Sequence, residues 1–451
     1  MKEKDDCLQI FNAGVDKVDP YKIIKNGVIL EDNKLKISAE DRIFDINISV
    51  FSEIIVIGAG KATAKMALGI ENVLGKKIAK GVISVKYGHL ESLDKIEIIQ
   101  AGHPVPDEKS VEAAKKIVKL CEAADEKTLV INLISGGGSS LLELPYRDDE
   151  TELTLSDIQL TTKELLACGA SIEEINCIRK HLSLIKGGRL ADYIFPAKCI
   201  TLILSDVNGD RLDSIASGMT VPDTTSYQNV SNIVESYRLI DKLPEPVQNV
   251  IKKGSEGLIS DTPDGKSEAL SVVTNILIGN NISALRASAV EAKKLGYNTR
   301  ILTSQLSGEA REIAKIFSSI AKDIKAGKLK EELPLCIITG GETTVTLTGN
   351  GKGGRNQEMV LSFLNEMYPY PGMADKVLFF SGGTDGNDGP TDAAGAIFTA
   401  DLLNRCIEKK LNPGYYLKNN DSYNFFKQID GLIITGPTNT NVCDIQILLI
   451  G

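Results

Sequence analysis

The sequence predicts an α/β protein with two Rossmann-like α/β domains, which have largely parallel sheets and surround an interdomain cleft. Short β-branched runs alternate with segments of helical periodicity in both halves of the chain. Strands that alternate with helices need crossover connections, which favour parallel sheets covered on both faces. A stretch rich in proline, glycine and charge, at 244–267, interrupts the pattern before it restarts. The predicted domains are therefore residues 1–255 and residues 256–451.

Short apolar runs mark the strands of each predicted domain. In the first domain they lie at 54–58, 82–85, 96–100, 129–134 and 201–205. In the second they lie at 272–279, 298–303, 335–342 and 376–383, with helices at 283–295 and 309–326. The intervening segments place their apolar residues on one helical face. The final apolar run, CDIQILLIG, could pair with the sheet of either domain.

Composition and charge argue against several classes of protein. The 451 residues include no tryptophan and carry a formal net charge of −9, whereas a nucleic-acid surface needs a basic footprint. The eight cysteines are scattered without a CxxC pair, as in a cytosolic protein with reduced thiols. The N-terminus lacks a signal peptide, and no run approaches the ~20 apolar residues that span a bilayer. We expect a cytoplasmic enzyme for a small-molecule substrate, with no nucleic-acid or membrane partner; a homodimer is left open.

Six polar or glycine-rich loops follow predicted strands. Ligands of open α/β sheets bind beyond the carboxyl ends of the strands, so these loops lie where a ligand is expected. A single glycine loop is ordinarily a matter of turn geometry. The loops lie at 58–66, 135–140, 205–218, 340–345, 350–358 and 381–396. Six such loops together indicate a ligand site rather than turns alone.

The loop GAGKATAKM is suited to an anion but matches neither common nucleotide motif. Gly58 and Gly60 fit a tight strand-to-helix turn, whose amides can face an anion. A dinucleotide fingerprint needs glycine or alanine at Thr63 and an acidic residue near Lys86, and a Walker A motif is absent as well. Lys61 stands at a helix N-terminus, where the helix dipole disfavours a cation. A bound anion explains it better than a solvated surface lysine does.

The loop SGGGSS can form a nest of backbone amides for phosphate or carboxylate. Its residues are Ser135, Gly136, Gly137, Gly138, Ser139 and Ser140. A serine nucleophile is the rival interpretation, but Leu141 stands where the G-x-S-x-G motif requires its closing glycine. The chain has three histidines, and none follows a recognisable triad order. An anion-binding loop is therefore favoured over a hydrolase site.

Carboxylates at strand ends indicate a magnesium site. The loop SGGTDGNDGPTDAAGA is not an EF-hand, because Pro390 and Ala396 replace the required glycine and glutamate. Mg²⁺ uses one or two carboxylates together with substrate phosphates and waters. The predicted metal ligands are Asp385, Asp388, Glu342 and Asp210. The competing interpretation is that these aspartates cap helices or shape turns.

A further glycine loop runs into an amphipathic helix and supplies an arginine. Its end, in GKGGRNQE, consists of Gly353, Gly354, Arg355 and Asn356. The planar guanidinium of arginine suits carboxylate or phosphate. Loops that can cradle phosphates, carboxylates for Mg²⁺, a lysine and an arginine are the components of a phosphoryl-transfer site.

The motifs, taken in chain order, resemble those of the glycerate 2-kinase family, the class II glycerate kinases with a C-terminal MOFRL domain. They are GAGKATAKMA, GHPVPDEKS, SGGGSSLLELP, LILSDVNGD, ASGMTVPD, GGETTV, GKGGRNQE, SGGTDGNDGPTDAAGA and GPTNTNVCD. The resemblance implies phosphorylation of D-glycerate at its 2-hydroxyl by ATP with Mg²⁺, giving 2-phosphoglycerate and ADP. It also implies that Lys61 and Arg355 are essential, and that residues 256–451 are the MOFRL-type domain.

The predicted mechanism assigns a role to each charged group and leaves alternatives open. Lys61 stabilises the transferred phosphoryl group, Arg355 or the SGGGSS amides hold the glycerate carboxylate, and Asp206 accepts the hydroxyl proton. The domain that takes ATP and the carboxylate that binds Mg²⁺ are not determined by the sequence. Because members of this family have been labelled hydroxypyruvate reductases, an NAD(P)H-dependent reductase is the first alternative function. A non-catalytic metabolite-binding regulator is the second.

Overall fold

The chain folds into two compact units in the computed structural model, which describes residues 2–39 and 42–451. One unit is Pro20–Ile278, and the other is Gly279–Gly451 together with residues 2–19. The first helix, α1 (Lys2–Lys17), therefore belongs to the C-terminal unit. The observed boundary lies after Ile278 rather than after residue 255, because the segment between them leads into an edge strand of the first large sheet.

The unit Pro20–Ile278 contains a small antiparallel sheet and a six-stranded sheet. The small sheet is ordered β1–β2–β3 and consists of β1 (Val28–Glu31), β2 (Lys34–Ala39) and β3 (Arg42–Asn47). The large sheet consists of β4 (Glu53–Ala59), β5 (Ile78–Lys86), β6 (Ile96–Ala101), β7 (Thr128–Ile134), β8 (Lys198–Leu204) and β9 (Val273–Gly279). Each strand candidate of the first half corresponds to one of these strands.

Helices connect the strands of this unit and cover its sheet. They are α2 (Pro20–Gly27), α3 (Thr63–Leu74), α4 (Glu108–Glu122), α5 (Gly138–Leu141), α6 (Leu155–Ala167), α7 (Ile172–His181), α8 (Leu190–Ile194), α9 (Tyr227–Ser236), α10 (Glu245–Ser255) and α11 (Glu268–Ser271). Asp107 caps α4 by accepting hydrogen bonds from the amides of Lys109 and Ser110. The apolar face of α4, which includes Ile117 and Cys121, is buried in one core cluster with residues of β4, β7 and β8.

The large sheet of this unit has the strand order of a Rossmann fold. Its order is β6–β5–β4–β7–β8–β9, which corresponds to 3-2-1-4-5-6 when the six strands are counted along the chain. The pairs from β6 to β8 are parallel. The order reverses between β4 and β7, and ligands of such sheets bind outside the strand ends at this switch point. The loops after β4 and β7 are the predicted loops GAGKATAKM and SGGGSS.

The sheet of the C-terminal unit is mixed, so the prediction of largely parallel sheets is wrong for this unit. It consists of β10 (Asn298–Leu306), β11 (Leu335–Gly341), β12 (Val377–Gly383), β13 (Gly395–Phe398), β14 (Leu432–Ile433) and β15 (Asp444–Ile450). Its order is β10–β11–β15–β12–β13–β14, and only the pair β10–β11 is parallel. The final strand β15 inserts antiparallel between β11 and β12, which decides which sheet the last apolar run joins.

The helices of the C-terminal unit complete an α/β architecture, as the sequence predicts. They are α12 (Asn281–Lys294), α13 (Ala310–Lys325), α14 (Arg355–Met367), α15 (Ala400–Glu408), α16 (Pro413–Lys418) and α17 (Ser422–Ile429). Phenylalanines join helices to the sheet: the ring of Phe363 on α14 stacks on Phe379 of β12, with centroids 4.6 Å apart. Phe11 of α1 packs against Phe380 at 4.8 Å, which anchors the first helix to this unit.

All eight cysteines are free thiols, and seven of them are buried. Among the described residues, no helix is both long enough and apolar enough to cross a membrane.

Candidate active site

Lys61 lies at the switch point of the first large sheet, between the end of β4 and the start of α3. Its amide donates a 2.9 Å hydrogen bond to the carbonyl of Gly136, which joins the loop after β4 to the loop after β7. Within residues 2–39 and 42–451, Lys61 forms no salt bridge. An unpaired lysine next to a helix N-terminus is electrostatically unfavourable unless an anion lies beside it.

Ser135 fixes the geometry of these two loops. It is buried, its hydroxyl accepts a 3.1 Å hydrogen bond from the amide of Ala62, and it lies 3.0 Å from the hydroxyl of Thr63. Gly60 has a φ of +148°, and a side chain there would collide with Ser135. The hydroxyl of Ser135 therefore caps the start of α3. This contact gives it a structural role, whereas the sequence suggests direct contact with an anion.

Two backbone amides of the SGGGSS loop are free to bind a ligand. The amides of Gly136 and Gly137 donate no hydrogen bond to any other residue that the structure describes. Gly137 has a left-handed φ of +82°, so successive amides form the kind of concavity that binds anions. The carboxylate of Asp206 lies against the Cα of Gly136, leaving no space for a side chain there. The structure thus places Lys61 and Asp206 beside this loop.

Two histidines near Lys61 are surrounded by positive charge. The Nδ1 atom of His89 lies 2.8 Å from the carbonyl oxygen of Lys61. Burial, together with Lys61, Lys86 and His89, lowers the pKa of His103 from 6.5 to about 4. Burial also lowers the pKa of His89, with smaller contributions from Lys86 and Lys61. In an acidic protein this is a locally positive site, which suits an anionic ligand.

The two remaining serines of the loop form contacts within the protein. The hydroxyl of Ser140 donates to the carbonyl of Gly137 at 3.1 Å. The hydroxyl of Ser139 lies 2.7 Å from that of Ser217, which in turn donates to the side-chain carbonyl of Asn176 at 3.3 Å. Ser217 has a left-handed φ of 57°. Strained backbone of this kind is concentrated at functional sites, and the sequence assigned Ser217 no role.

Arg355 is the first residue of α14, and it contacts two carboxylates of the C-terminal unit. Its Nε and Nη2 atoms lie 2.6 Å and 3.0 Å from the two carboxylate oxygens of Asp444, and Nη1 lies 2.6 Å from Glu342. Burial opposes the charge of Arg355, but Asp444 and Glu342 outweigh it and raise its pKa. Glu342 is thus the partner of an arginine, whereas the sequence predicts a metal ligand at this position.

Asp388 caps α14 and does not have the environment of a metal ligand. Its carboxylate accepts hydrogen bonds from the amides of Asn356 at 3.0 Å and Gln357 at 2.8 Å. The side-chain amide of Gln357 donates to the same carboxylate at 3.0 Å. The predicted magnesium role of Asp388 conflicts with this geometry, because both of its oxygens are already occupied. Burial raises the pKa of Asp388 to about 6, although these amides oppose the shift.

The other two predicted metal ligands, Asp385 and Asp210, lie in the loops after β12 and β8. One carboxylate oxygen of Asp385 accepts a 2.9 Å hydrogen bond from the amide of Asn387, and its Oδ2 atom accepts none from any described residue. Asp210 lies in the turn after β8, with a left-handed φ of 54°. Among the described residues, no three histidine, cysteine, aspartate or glutamate side chains converge as a metal site.

The remaining predicted glycines lie at close backbone approaches. Gly58 is inside β4 opposite Leu133, Gly138 adjoins Ala216, Gly353 adjoins Ser422 and Gly354 adjoins Asp388. Gly353 and Gly354 therefore let the chain enter α14 tightly. The amide side chain of Asn356 reaches Asp388 and Ser381. These contacts position the start of α14, and with it Arg355.

Two site residues have no role in the sequence-based prediction. Asp444 ends the quoted motif GPTNTNVCD, and His103 lies in the quoted motif GHPVPDEKS. The roles of both residues depend on contacts between distant segments of the chain. A buried acidic residue at the start of an apolar strand is the only local sign of Asp444.

Comparisons with known proteins cover almost the whole chain. Two family descriptions match it: "Domain of unknown function (DUF4147)" over residues 6–252 and "MOFRL family" over residues 335–444. A D-glycerate 2-kinase of Thermotoga maritima is 44% identical over 88% of this chain and 90% of its own length. An Agrobacterium vitis protein with the provisional name hydroxypyruvate reductase is 42% identical over 88% of this chain and 99% of its own length. The crystal structure of a glycerate kinase from Thermotoga maritima matches with a TM-score of 0.85 and 39% identity, over 100% of both chains. The chain therefore belongs to the glycerate 2-kinase family, as its motifs predict.

Proposed function

We propose that this protein phosphorylates D-glycerate at the 2-hydroxyl, using ATP and Mg²⁺ and releasing 2-phosphoglycerate and ADP. The observation that carries the proposal is the unpaired Lys61 beside the free amides of Gly136 and Gly137, at the switch point of a Rossmann-type sheet. A lysine and an amide nest are suited to a phosphoryl or carboxylate oxyanion. Family membership identifies glycerate as the acceptor, and the choice of its 2-hydroxyl rests on the names of the relatives.

Lys61 and Asp206 take complementary roles in the proposed transfer. The ammonium of Lys61 offsets negative charge on the phosphoryl group that moves from ATP to glycerate. The carboxylate of Asp206, which lies against Gly136 in the same loop, accepts the proton of the attacking hydroxyl. The bond that forms joins this hydroxyl oxygen to phosphorus, and the bond that breaks releases ADP. These roles explain why a cation and a carboxylate adjoin one glycine loop.

Arg355 and Asp385 are the proposed charged groups of the C-terminal unit. Three nitrogens of Arg355 contact Asp444 and Glu342, but a guanidinium has five N–H groups, so two remain for a ligand oxyanion. Asp385 fits a magnesium ligand, because its Oδ2 atom accepts no hydrogen bond from a described residue and Mg²⁺ needs only one or two protein carboxylates. Bound Mg²⁺ would neutralise phosphate charge.

The structure of the switch point disfavours the reductase alternative. A dinucleotide-binding sheet of this order places an acidic residue after its second strand, where it binds the ribose hydroxyl. Here β5 ends in Lys86, which contributes positive charge near His103. A lysine at this position suits phosphate rather than a ribose diol. The regulator alternative is disfavoured by the intact set of Lys61, Arg355 and Asp385. Cytoplasmic location and a homodimer remain predictions from the sequence.

Purified protein should form ADP from ATP only when D-glycerate and Mg²⁺ are both present. A coupled ADP assay measures this activity, and phosphorus NMR identifies the product as 2-phosphoglycerate. The parallel assay follows oxidation of NADH and NADPH with hydroxypyruvate, where no turnover is expected. Robust NADH oxidation without ATP consumption would replace the kinase by the reductase. A signal of 3-phosphoglycerate would retain the kinase and change the hydroxyl.

A further inference from the structure

His103 lies beside the proposed anion site and has no assigned role. It follows β6, and its imidazole lies against the backbone of Gly137, where a Cβ atom would stand 2.8 Å from Cδ2 and 2.9 Å from Nε2. The Cγ atom of Lys61 lies 3.4 Å from the same position. Lys61 and His103 thus flank one residue of the amide nest, and only glycine at position 137 leaves room for them.

The imidazole of His103 is available to a ligand. It is half-buried, and among residues 2–39 and 42–451 no group forms a hydrogen bond with it. His89, by contrast, uses Nδ1 on the carbonyl of Lys61, and His181 is buried and uses Nδ1 on the carbonyl of Cys177. His103 is therefore the one histidine whose described surroundings leave both ring nitrogens unused.

The charge state of His103 follows from its neighbours. Lys61, Lys86 and His89 are the charged or titratable groups that act on it, and together with burial they lower its pKa to about 4. At neutral pH the ring is uncharged, with one N–H donor and one nitrogen acceptor. A neutral imidazole can donate a hydrogen bond to a substrate oxygen without adding a second cation beside Lys61. It is thus suited to orient an oxyanion, whereas Lys61 supplies the charge.

We propose that His103 is a fourth donor of the anion site, whose imidazole N–H binds the same carboxylate or phosphoryl oxyanion as Lys61 and the amides of Gly136 and Gly137. The identity of the anion rests on the proposed function, since glycerate supplies a carboxylate and ATP supplies phosphoryl oxygens. The geometry itself requires only an oxyanion. His103 is therefore a substrate-binding residue that selects an oxygen acceptor next to Lys61.

Histidine NMR tests the binding directly, without turnover. The full-length chain, labelled with nitrogen-15 in histidine, has three imidazole signals to resolve, and His103→Gln assigns one of them. Inorganic phosphate, D-glycerate and MgATP are titrated separately. An anion next to the ring offsets Lys61 and should raise the pKa of His103 by about one unit, while buried His181 serves as the internal control. If none of the three anions moves the His103 signal, the proposal is overturned.

Kinetics of two variants separate hydrogen bonding from packing. His103→Phe keeps a ring without a donor, and His103→Asn keeps a donor without the ring. We expect His103→Phe to lose on the order of 10-fold or more in kcat/KM. His103→Asn should keep most of the kcat/KM of the parent. A rise in KM for glycerate alone identifies the carboxylate, whereas a rise in KM for ATP or a fall in kcat identifies a phosphoryl oxygen. Equal activity of both variants overturns the proposal.

The two experiments keep this proposal distinct from the kinase proposal. If the parent protein shows no ATP-dependent activity but phosphate still shifts the His103 signal, the kinase assignment fails and the anion site stands. The opposite result is that the kinase is active, both variants keep the activity of the parent, and no anion moves the His103 signal. The kinase assignment then stands and the proposed role of His103 fails.

Discussion

The guanidinium of Arg355 makes a two-point contact with the fully buried carboxylate of Asp444, at 2.6 Å and 3.0 Å. Asp444 opens β15 and pairs in register with both Gly341 at the end of β11 and Gly383 at the end of β12. Because β11 and β12 both run antiparallel to β15, their carboxyl ends meet at Asp444. The ion pair therefore fixes the guanidinium at the strand ends where ligands of α/β sheets bind.

Replacing Arg355 should damage both activity and stability. Arg355→Ala leaves Asp444 buried without its partner, which should lower the free energy of unfolding by about 3 kcal/mol. Arg355→Lys keeps the charge but loses the planar fork, so both variants should lose on the order of 100-fold in kcat/KM. Urea unfolding and steady-state kinetics with D-glycerate and MgATP measure the two effects.

Asp444→Asn is the matched control for this pair. It removes the charge and keeps nearly the same shape, so the orientation of Arg355 loosens while the buried acid disappears. Activity should fall with a smaller loss of stability than in Arg355→Ala. Full activity in Arg355→Lys would show that charge alone suffices and that the two-point geometry serves no catalytic purpose.

Local sequence patterns predict the fold class. The direction and order of the strands depend instead on the pairing of distant segments, which these patterns do not encode. Period and length identified β4, β5 and β7, because each forms its apolar pattern within a few residues. The mixed sheet of the C-terminal unit depends on β15, whose insertion between β11 and β12 leaves no periodic signal in either partner. Alternating strands and helices predict parallel pairing, which the C-terminal sheet shows between β10 and β11.

The same distinction separates the predicted site residues from the missed ones. Lys61 and the glycines of SGGGSS belong to local turns whose chemistry is legible in a few residues. The sequence around Asp388 is compatible with a metal ligand and with a helix cap, because aspartate serves as both, and its contact with the start of α14 distinguishes the two. His103 and Asp444 act across 34 residues and 89 residues of sequence, to Gly137 and Arg355 respectively, which no local pattern encodes.

Asp385 and Asp388 should respond differently to the same substitution. Asp385→Asn should raise the Mg²⁺ concentration for half-maximal activity on the order of 10-fold, because an amide is a poorer ligand for this cation. Asp388→Asn should leave that concentration unchanged and lower the free energy of unfolding by about 1 kcal/mol, because it places an NH2 group where a carboxylate oxygen now accepts hydrogen bonds from Asn356 or Gln357. Magnesium titrations of activity and urea melts of both variants distinguish these effects. An unaltered titration in Asp385→Asn would reduce Asp385 to a turn residue.

His103 should make the protein less stable in mild acid. Its folded-state pKa is lowered to about 4 from 6.5, so the unfolded chain binds a proton at pH values where the folded protein does not. This contribution to stability is present above pH 6.5 and is lost as the pH falls toward 4. His103→Gln should reduce the loss by on the order of 1 kcal/mol, after screening by solvent. Urea unfolding at pH 7, 5 and 4 measures it, and identical pH slopes in parent and variant would contradict it.

Lys61 should contribute to activity at no benefit to stability. It precedes Ala62, the N-cap of α3, so its charge faces the positive end of the helix dipole, and it has no salt-bridge partner among the described residues. Lys61→Met keeps much of the aliphatic side chain and removes this repulsion. We expect kcat/KM to fall on the order of 100-fold or more, as for loss of one charge-stabilising donor. The free energy of unfolding should stay equal or rise by about 0.5 kcal/mol.

Lys65→Met provides the control for Lys61→Met, because it removes a lysine from the first turn of the same helix, and the atoms nearest to Gly137 come from His103 and Lys61 rather than from Lys65. This control variant should have the same kcat/KM as the parent protein. Phosphate binding, followed by the NMR signal of His103, should weaken in Lys61→Met and persist in Lys65→Met, since only Lys61 adjoins Gly137. If Lys61→Met is destabilised and binds phosphate normally, Lys61 supports the fold and the anion site must be formed by other groups. If Lys61→Met is stable and inactive and no longer binds phosphate, the unfavourable position of Lys61 is explained by its function. Such a conflict between activity and stability is common at functional sites.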